Sequence, residues 1–298
     1  MKAAFMTPCV TAFHQDRSLD LESQAAVYDH LLRGGVDGVL VLGSMGEFFA
    51  MTAEQRRELT AFSVKHIAGR MKVLVGTASM DFEEAVALAR HALSAGADAV
   101  AVISPYYVTL SPQAMLSYYD ELAARVDGPI YLYNYPERTG YDLPPETVLE
   151  LRRRHDNVVG IKDSSDNAEH TLRLIRAVKP HYPDFEVFCG FDSYFPEVVR
   201  GGGDGAIGGL SNIFPELARE WVQAFERDDD AEVERISRTI DRLMPLYGVG
   251  VPFIPQVKEA ARLVGVPMEP WCAFPLAQST AEESAKIQQI FHDSGVSR

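Results

Sequence analysis

Short runs rich in β-branched residues alternate along the chain with longer segments whose apolar positions recur at helical spacing. The strand candidates are residues 3–7, 38–42, 73–77, 99–104, 130–134, 158–162, 186–189 and 205–208. Helical periodicity follows each of them, at 20–33, 53–68, 81–94, 111–125, 145–155, 168–179, 194–200 and 215–225. The ends carry helix punctuation: Asp20 and Thr52 as N-caps, Pro145 at a first helical position, and Gly34-Gly35, Gly69, Gly96 and Gly201 as stops.

The strand runs do not alternate. Val39-Leu40-Val41-Leu42 and Val100-Ala101-Val102-Ile103 are apolar at every position, as strands covered on both faces of a parallel sheet must be. Eight equal βα units predict a closed (β/α)8 TIM barrel, an α/β fold, in preference to an open doubly wound sheet. Beyond the barrel, 228–246, 253–263 and 280–292 predict three further helices. The expected organisation is a barrel over 1–226 and a C-terminal helical extension over 227–298. No low-complexity stretch or linker separates them, and Asp228-Asp229-Asp230 reads as a solvated helix start.

Composition narrows the partners. Lys plus Arg number 28 and Asp plus Glu 42 in 298 residues, a formal charge of −14, which is poorly suited to nucleic acid. No apolar run is long enough for a membrane helix, and the first residues lack a signal-peptide core, so a cytoplasmic protein is expected. The three cysteines, Cys9, Cys189 and Cys272, form neither a disulfide framework nor a zinc spacing and read as buried thiols.

In a barrel of this kind chemistry sits at the C-terminal ends of the strands. Lys162 ends the sixth strand, with its stem inside the barrel mouth. A desolvated lysine presents a free amine, a nucleophile for carbonyl carbon; the alternative is a lysine paired with Asp163 or reaching the rim. Tyr133 ends the neighbouring strand, where a phenol can carry protons or be a core tyrosine with a satisfied hydroxyl. Gly43, Ser44 and Gly46 make a tight turn whose amides can face a carboxylate, or a plain βα turn. Other motifs fail on context. Residues 203–208 match GxGxxG but lead into a strand instead of following one. No phosphate-binding loop or nucleophile elbow occurs, and no histidine ends a strand, so metal-free lysine chemistry with no cofactor is expected.

Three segments, in this order, resemble the dihydrodipicolinate synthase and N-acetylneuraminate lyase family almost end to end. Gly43-Ser44-Met45-Gly46-Glu47 is similar to its GxxGE loop. Tyr133-Asn134-Tyr135-Pro136-Glu137-Arg138-Thr139-Gly140 is similar to its YNxPxxTG segment, and Gly160-Ile161-Lys162-Asp163 to its Schiff-base lysine strand. The resemblance implies a homotetramer and a class I pyruvate-dependent aldolase. In it Lys162 forms the imine and Tyr133 moves protons. Ser44 and a neighbouring subunit's Tyr107 complete the relay. It further implies that Ser44, Met45 and Gly46 receive the carboxylate and that Gly190 and Ile207 line the pyruvate pocket. Met45 stands where the synthases commonly carry a threonine. Phe48-Phe49, Tyr135 and Asp163-Ser164 resemble members that cleave 2-keto-3-deoxy sugar acids such as 2-keto-3-deoxy-gluconate. Arg138 points the other way, because in the synthases an arginine here grips aspartate semialdehyde. The positions matching the family's lysine-feedback site, Ala53, Arg56 and Met80, lack its polar groups. The expected activity is therefore sugar-acid cleavage, with 4-hydroxy-tetrahydrodipicolinate synthesis as the alternative enzyme and a non-enzymatic 2-keto-acid sensor as the alternative of another class.

Overall fold

A computed structural model describes residues 3–296; residues 1–2 and 297–298, at the outer ends of the two expected units, lie outside it. Eight parallel strands close in sequence order, β1 pairing with both β2 and β8. They are β1 (Ala4–Pro8), β2 (Gly38–Val41), β3 (Lys72–Gly76), β4 (Ala99–Ile103), β5 (Ile130–Asn134), β6 (Val158–Asp163), β7 (Glu186–Cys189) and β8 (Gly205–Ile207). The helices are α1 (Leu21–Gly34), α2 (Ala53–Ile67), α3 (Phe82–Ser94), α4 (Pro112–Arg125), α5 (Pro136–Thr139), α6 (Pro145–Arg154), α7 (Ala168–Val178), α8 (Phe195–Arg200) and α9 (Pro215–Glu226). Beyond the barrel lie α10 (Asp230–Leu243), α11 (Ile254–Leu263) and α12 (Ala281–Ser294). The fold is the expected TIM barrel with C-terminal helices. Among the described residues no helix is long and apolar enough to cross a membrane.

Apolar residues fill two regions. Val39, Val41, Val73, Val75, Val100 and Val102 face outward under the helices, in the larger core. Met6, Leu40, Leu74, Ala101, Tyr131, Phe188 and Ile207 plug the barrel from inside. This packing explains why the strand runs are apolar at consecutive positions. An aspartate recurs just before three even-numbered strands. Asp37 accepts from the Phe5 amide (2.8 Å), Asp98 from Val73 (2.7 Å) and Asp204 from Val187 (2.8 Å). Each carboxylate satisfies an N–H at the start of the preceding strand and so ties neighbours together at the closed end.

Three local expectations are corrected. The helix expected at 228–246 ends at Leu243, and Met244–Gly248 is a 3-10 turn. Pro245 has no N–H to continue the helical ladder. Gly201 has an ordinary negative φ of −75°, while Gly202 takes the left-handed turn at 90°. The four-residue α5 was not anticipated; Pro136 starts it and Gly140, at φ 80°, ends it.

Candidate active site

Parallel register places Tyr133 directly beside Lys162, and Asn134 beside Asp163. Side chains alternate along a strand, so Tyr133 and Lys162 turn into the barrel mouth while Asn134 and Asp163 turn out toward the helices. Lys162 is 4% exposed. Its amine donates to the Tyr133 hydroxyl at 3.3 Å and lies 4.4 Å from the centre of that ring. Asp163 is not its partner. That carboxylate, fully buried, accepts from Asn134 Nδ2 (2.8 Å), His170 Nδ1 (2.9 Å) and Thr171 Oγ1 (2.6 Å). His170 Nε2 also meets Asp142 at 3.2 Å. Burial alone would lower the His170 pKa, but the two carboxylates outweigh it and raise it.

Lys162 and Tyr133 open onto a cavity of about 290 Å3. Ser44, Met45 and Gly190 also line it. The turn carrying Ser44 and Met45 is built by backbone that few residues adopt. Leu42 and Glu47, at its two ends, have φ of 57° and 58°. Gly46 N bonds Gly43 O at 3.0 Å and Glu47 N bonds Ser44 O at 3.2 Å. The amides of Ser44 and Met45 donate to no acceptor among the described residues. Two buried or half-buried N–H groups left open at a cavity wall form a receptor for an anionic oxygen. Gly76 makes the turn possible, because a Cβ there would lie 2.0 Å from Leu42 O.

The other expected residues fall in different places. Gly46 is buried behind the wall, its carbonyl accepting from Thr11 Oγ1 at 2.8 Å. Ile207 lies in the plug beneath the mouth and does not reach the wall. Ser44 and Tyr133 share the wall, with no hydrogen bond between them among the described residues. Tyr107 is 88% exposed and does not line the cavity of its own chain. Arg138 lines an adjoining apolar cavity with Phe48, Phe49 and Tyr106, pairs with Glu137 at 3.4 Å and lies over the Tyr135 ring.

Beyond Gly190, the sequence assigns no role to the rest of the wall. Asp192, fully buried after β7, accepts from Gly209 N (3.2 Å), Leu210 N (3.1 Å) and Tyr247 Oη (2.8 Å). Burial pushes its pKa up, against those three donors. Its place after a strand was the available signal. Met244, Tyr247 and Phe253 come from the C-terminal region, whose helical pattern gives no hint that it reaches the barrel mouth.

A lysine amine and a phenol at neighbouring strand ends, facing two open amides, define a (β/α)8 barrel site suited to a 2-keto acid. Comparison with known proteins identifies the family. Residues 1–294 match the profile of the dihydrodipicolinate synthetase family. The chain is 36% identical over 294 residues to the probable 2-dehydro-3-deoxy-D-pentonate aldolase YjhH of Escherichia coli K12, covering 99% of this chain and 98% of that one. It is 33% identical over 289 residues to a 4-hydroxy-tetrahydrodipicolinate synthase of Kosmotoga olearia, with 97% of each covered. The crystal structure of YagE from E. coli K12 in complex with pyruvate superposes with a TM-score of 0.96 at 33% identity, over 99% of both chains. The chain belongs to the dihydrodipicolinate synthetase family, a family of pyruvate-dependent lyases.

Proposed function

We propose that the protein is a class I, metal-free aldolase that cleaves a 2-keto-3-deoxy sugar acid, such as 2-keto-3-deoxy-gluconate, to pyruvate and an aldehyde. The buried Lys162 amine beside the Tyr133 hydroxyl, on a cavity wall that also presents two open amides, carries this reading. The substrate carboxylate takes the Ser44 and Met45 amides, which brings C2 to Lys162. The amine adds to the C2 carbonyl and one of its protons passes to the oxygen; Tyr133 then gives its hydroxyl proton to that oxygen, which leaves as water, giving an iminium and a Tyr133 phenolate. The C3–C4 bond then breaks. Its electron pair moves into the iminium to give an enamine, and the C4 hydroxyl gives its proton to Tyr133 as the aldehyde forms. Protonation at C3 and hydrolysis release pyruvate and restore the amine.

Two observations favour a sugar acid over aspartate semialdehyde. Tyr135, Ser164 and Tyr247 line the same cavity as Lys162 and carry hydroxyl groups, as a site for a polyhydroxylated tail requires. Arg138, the cation the synthase reaction would need, is already paired with Glu137 and faces the adjoining cavity. The names of the aldolase relatives support the same choice. The exposed Tyr107 fits a residue lent to a neighbouring subunit of a cytoplasmic homotetramer. Release of pyruvate from 2-keto-3-deoxy-gluconate, coupled to lactate dehydrogenase, tests the reading, with Lys162→Ala as the blank. Pyruvate from the native protein alone is the expected result. No release from a native protein that borohydride still traps with pyruvate would redirect the assignment to the synthase. A native protein that borohydride leaves unlabelled would leave the sensor.

A further inference from the structure

The turn that offers its amides to the substrate is held from behind by an ion pair that takes no part in the reaction. Glu47 closes the turn, and its side chain is fully buried. One carboxylate oxygen accepts from the Ala273 amide at 2.7 Å, and the other pairs with the amine of Lys258 on α11, itself fully buried. Lys258 also donates to the Trp271 carbonyl at 2.6 Å and lies 4.8 Å from the centre of the Phe13 ring. Burial pushes the Glu47 pKa up and the Lys258 charge opposes it.

Such a pair is a poor stabilising device. Desolvating two charges costs several kcal/mol each, and an apolar pair of similar volume often does as well. What it supplies is a fixed position. Glu47 sits at φ 58°, conformational strain of about 1–3 kcal/mol that persists only where the surroundings determine it. The rest of the turn is held by short-range backbone bonds and by the Thr11 contact to Gly46. Glu47 is two residues from Met45 and three from Ser44, and a hydrogen bond weakens steeply as its donor tilts. A shift of the Glu47 anchor therefore reaches the open amides directly.

We propose that Glu47 and Lys258 are positioning residues for substrate binding: their ion pair sets the Ser44–Met45 turn that receives the carboxylate. Through it Lys258 of α11 controls 2-keto-acid affinity without itself touching the substrate. The inference rests on the Schiff-base reading above, and its test separates the two.

The test is borohydride trapping of the full chain over a range of pyruvate concentrations, read by mass spectrometry, in the native protein, Lys258→Met, and the double variant Glu47→Gln with Lys258→Met. The double variant leaves no unpaired buried charge, and the carboxamide oxygen it introduces can still accept from the Ala273 amide. Melting curves establish that each variant is folded, and Glu47→Gln alone replaces Lys258→Met if that one is not. The pyruvate concentration for half-maximal trapping is expected to rise about tenfold to a hundredfold in the single and the double variant. The maximal trapping rate is expected to change much less, because Lys162 and Tyr133 stand on other strands. Folded variants that trap pyruvate at the native half-saturation overturn the positioning role and leave the Schiff base intact. A double variant that regains native half-saturation while Lys258→Met does not also overturns it, since the pair is then merely structural. A native protein that traps no pyruvate removes the functional reading and this inference with it.

Discussion

Replacing Asp163 by Asn tests whether the reactive pair is held by the groups behind it. The Asp163 carboxylate accepts three hydrogen bonds, one from Asn134 on Oδ1 and two from His170 and Thr171 on Oδ2. An asparagine can keep its carbonyl toward His170 and Thr171, but its NH2 then faces the NH2 of Asn134. One charge-assisted bond is lost, worth about 1.5–3 kcal/mol, and two become neutral at a cost of about 1 kcal/mol each. The sum is a destabilisation of about 3.5–5 kcal/mol, or roughly 6–8 °C in Tm for a chain of this size. Thr171→Val is the control. It deletes one donor and leaves the carboxylate two partners, for about 1–2 kcal/mol. Urea unfolding followed by far-ultraviolet circular dichroism, at one protein concentration, measures both. Asp163→Asn is also expected to lower kcat in the pyruvate-release assay, because Asn134 and Asp163 adjoin Tyr133 and Lys162. An Asp163→Asn protein no less stable than Thr171→Val would refute the view that this carboxylate anchors the two strands.

His170 should make stability depend on pH in a definite direction. Its folded pKa is raised above the unfolded value of about 6.5. Its contribution is therefore complete below about pH 6.5 and is lost as pH rises through the higher folded value. The stability gap between native protein and His170→Gln, from urea midpoints, is expected to narrow across that window; a gap that widens would contradict it. Gly205→Ala should prevent accumulation of folded protein. The new Cβ would lie 1.8 Å from Ala4 O at a φ of 139°. Gly69→Ala, also at positive φ but with nothing within 4 Å, should cost only about 1–2 kcal/mol in the same measurement.

The barrel was legible because parallel strands buried on both faces leave uninterrupted apolar runs, as at Val100-Ala101-Val102-Ile103. Lys162 and Tyr133 were legible because a polar side chain at the end of such a run has few places to go except the mouth. The partners of Asp163 were not. His170 and Thr171 lie on a helix where they look like ordinary polar positions, and only the packing of α7 against β6 brings them to the carboxylate. Lys258 was hidden in the same way. Its helix reads as amphipathic, and nothing local says that one lysine of α11 points inward to Glu47. The turn at 43–47 was recognised from its glycines, yet left-handed conformations fall on Glu47 and on Leu42 just before it, where residue type gives no warning.

These hidden groups share a geometric origin. A strand has a period of two, so a reactive residue facing the mouth is followed by one facing the helices. Tyr133-Asn134 and Lys162-Asp163 both end this way, and the register sets the two inward residues side by side and the two outward residues side by side. The outward residues are not free to be apolar. Asn134 also donates to Asp142 and accepts from the Leu143 amide at 3.0 Å, so it fixes the loop after β5 as well as the strand. Glu47 does for the β2 turn what Asn134 and Asp163 do for β5 and β6. In each case a group on the cavity wall is backed by a buried polar contact on the opposite side of the backbone. Such contacts are costly to leave unmade. Substitutions behind the wall should therefore disturb chemistry more than their distance from the cavity suggests, while exposed rim residues such as Arg138 should chiefly change which substrate is accepted.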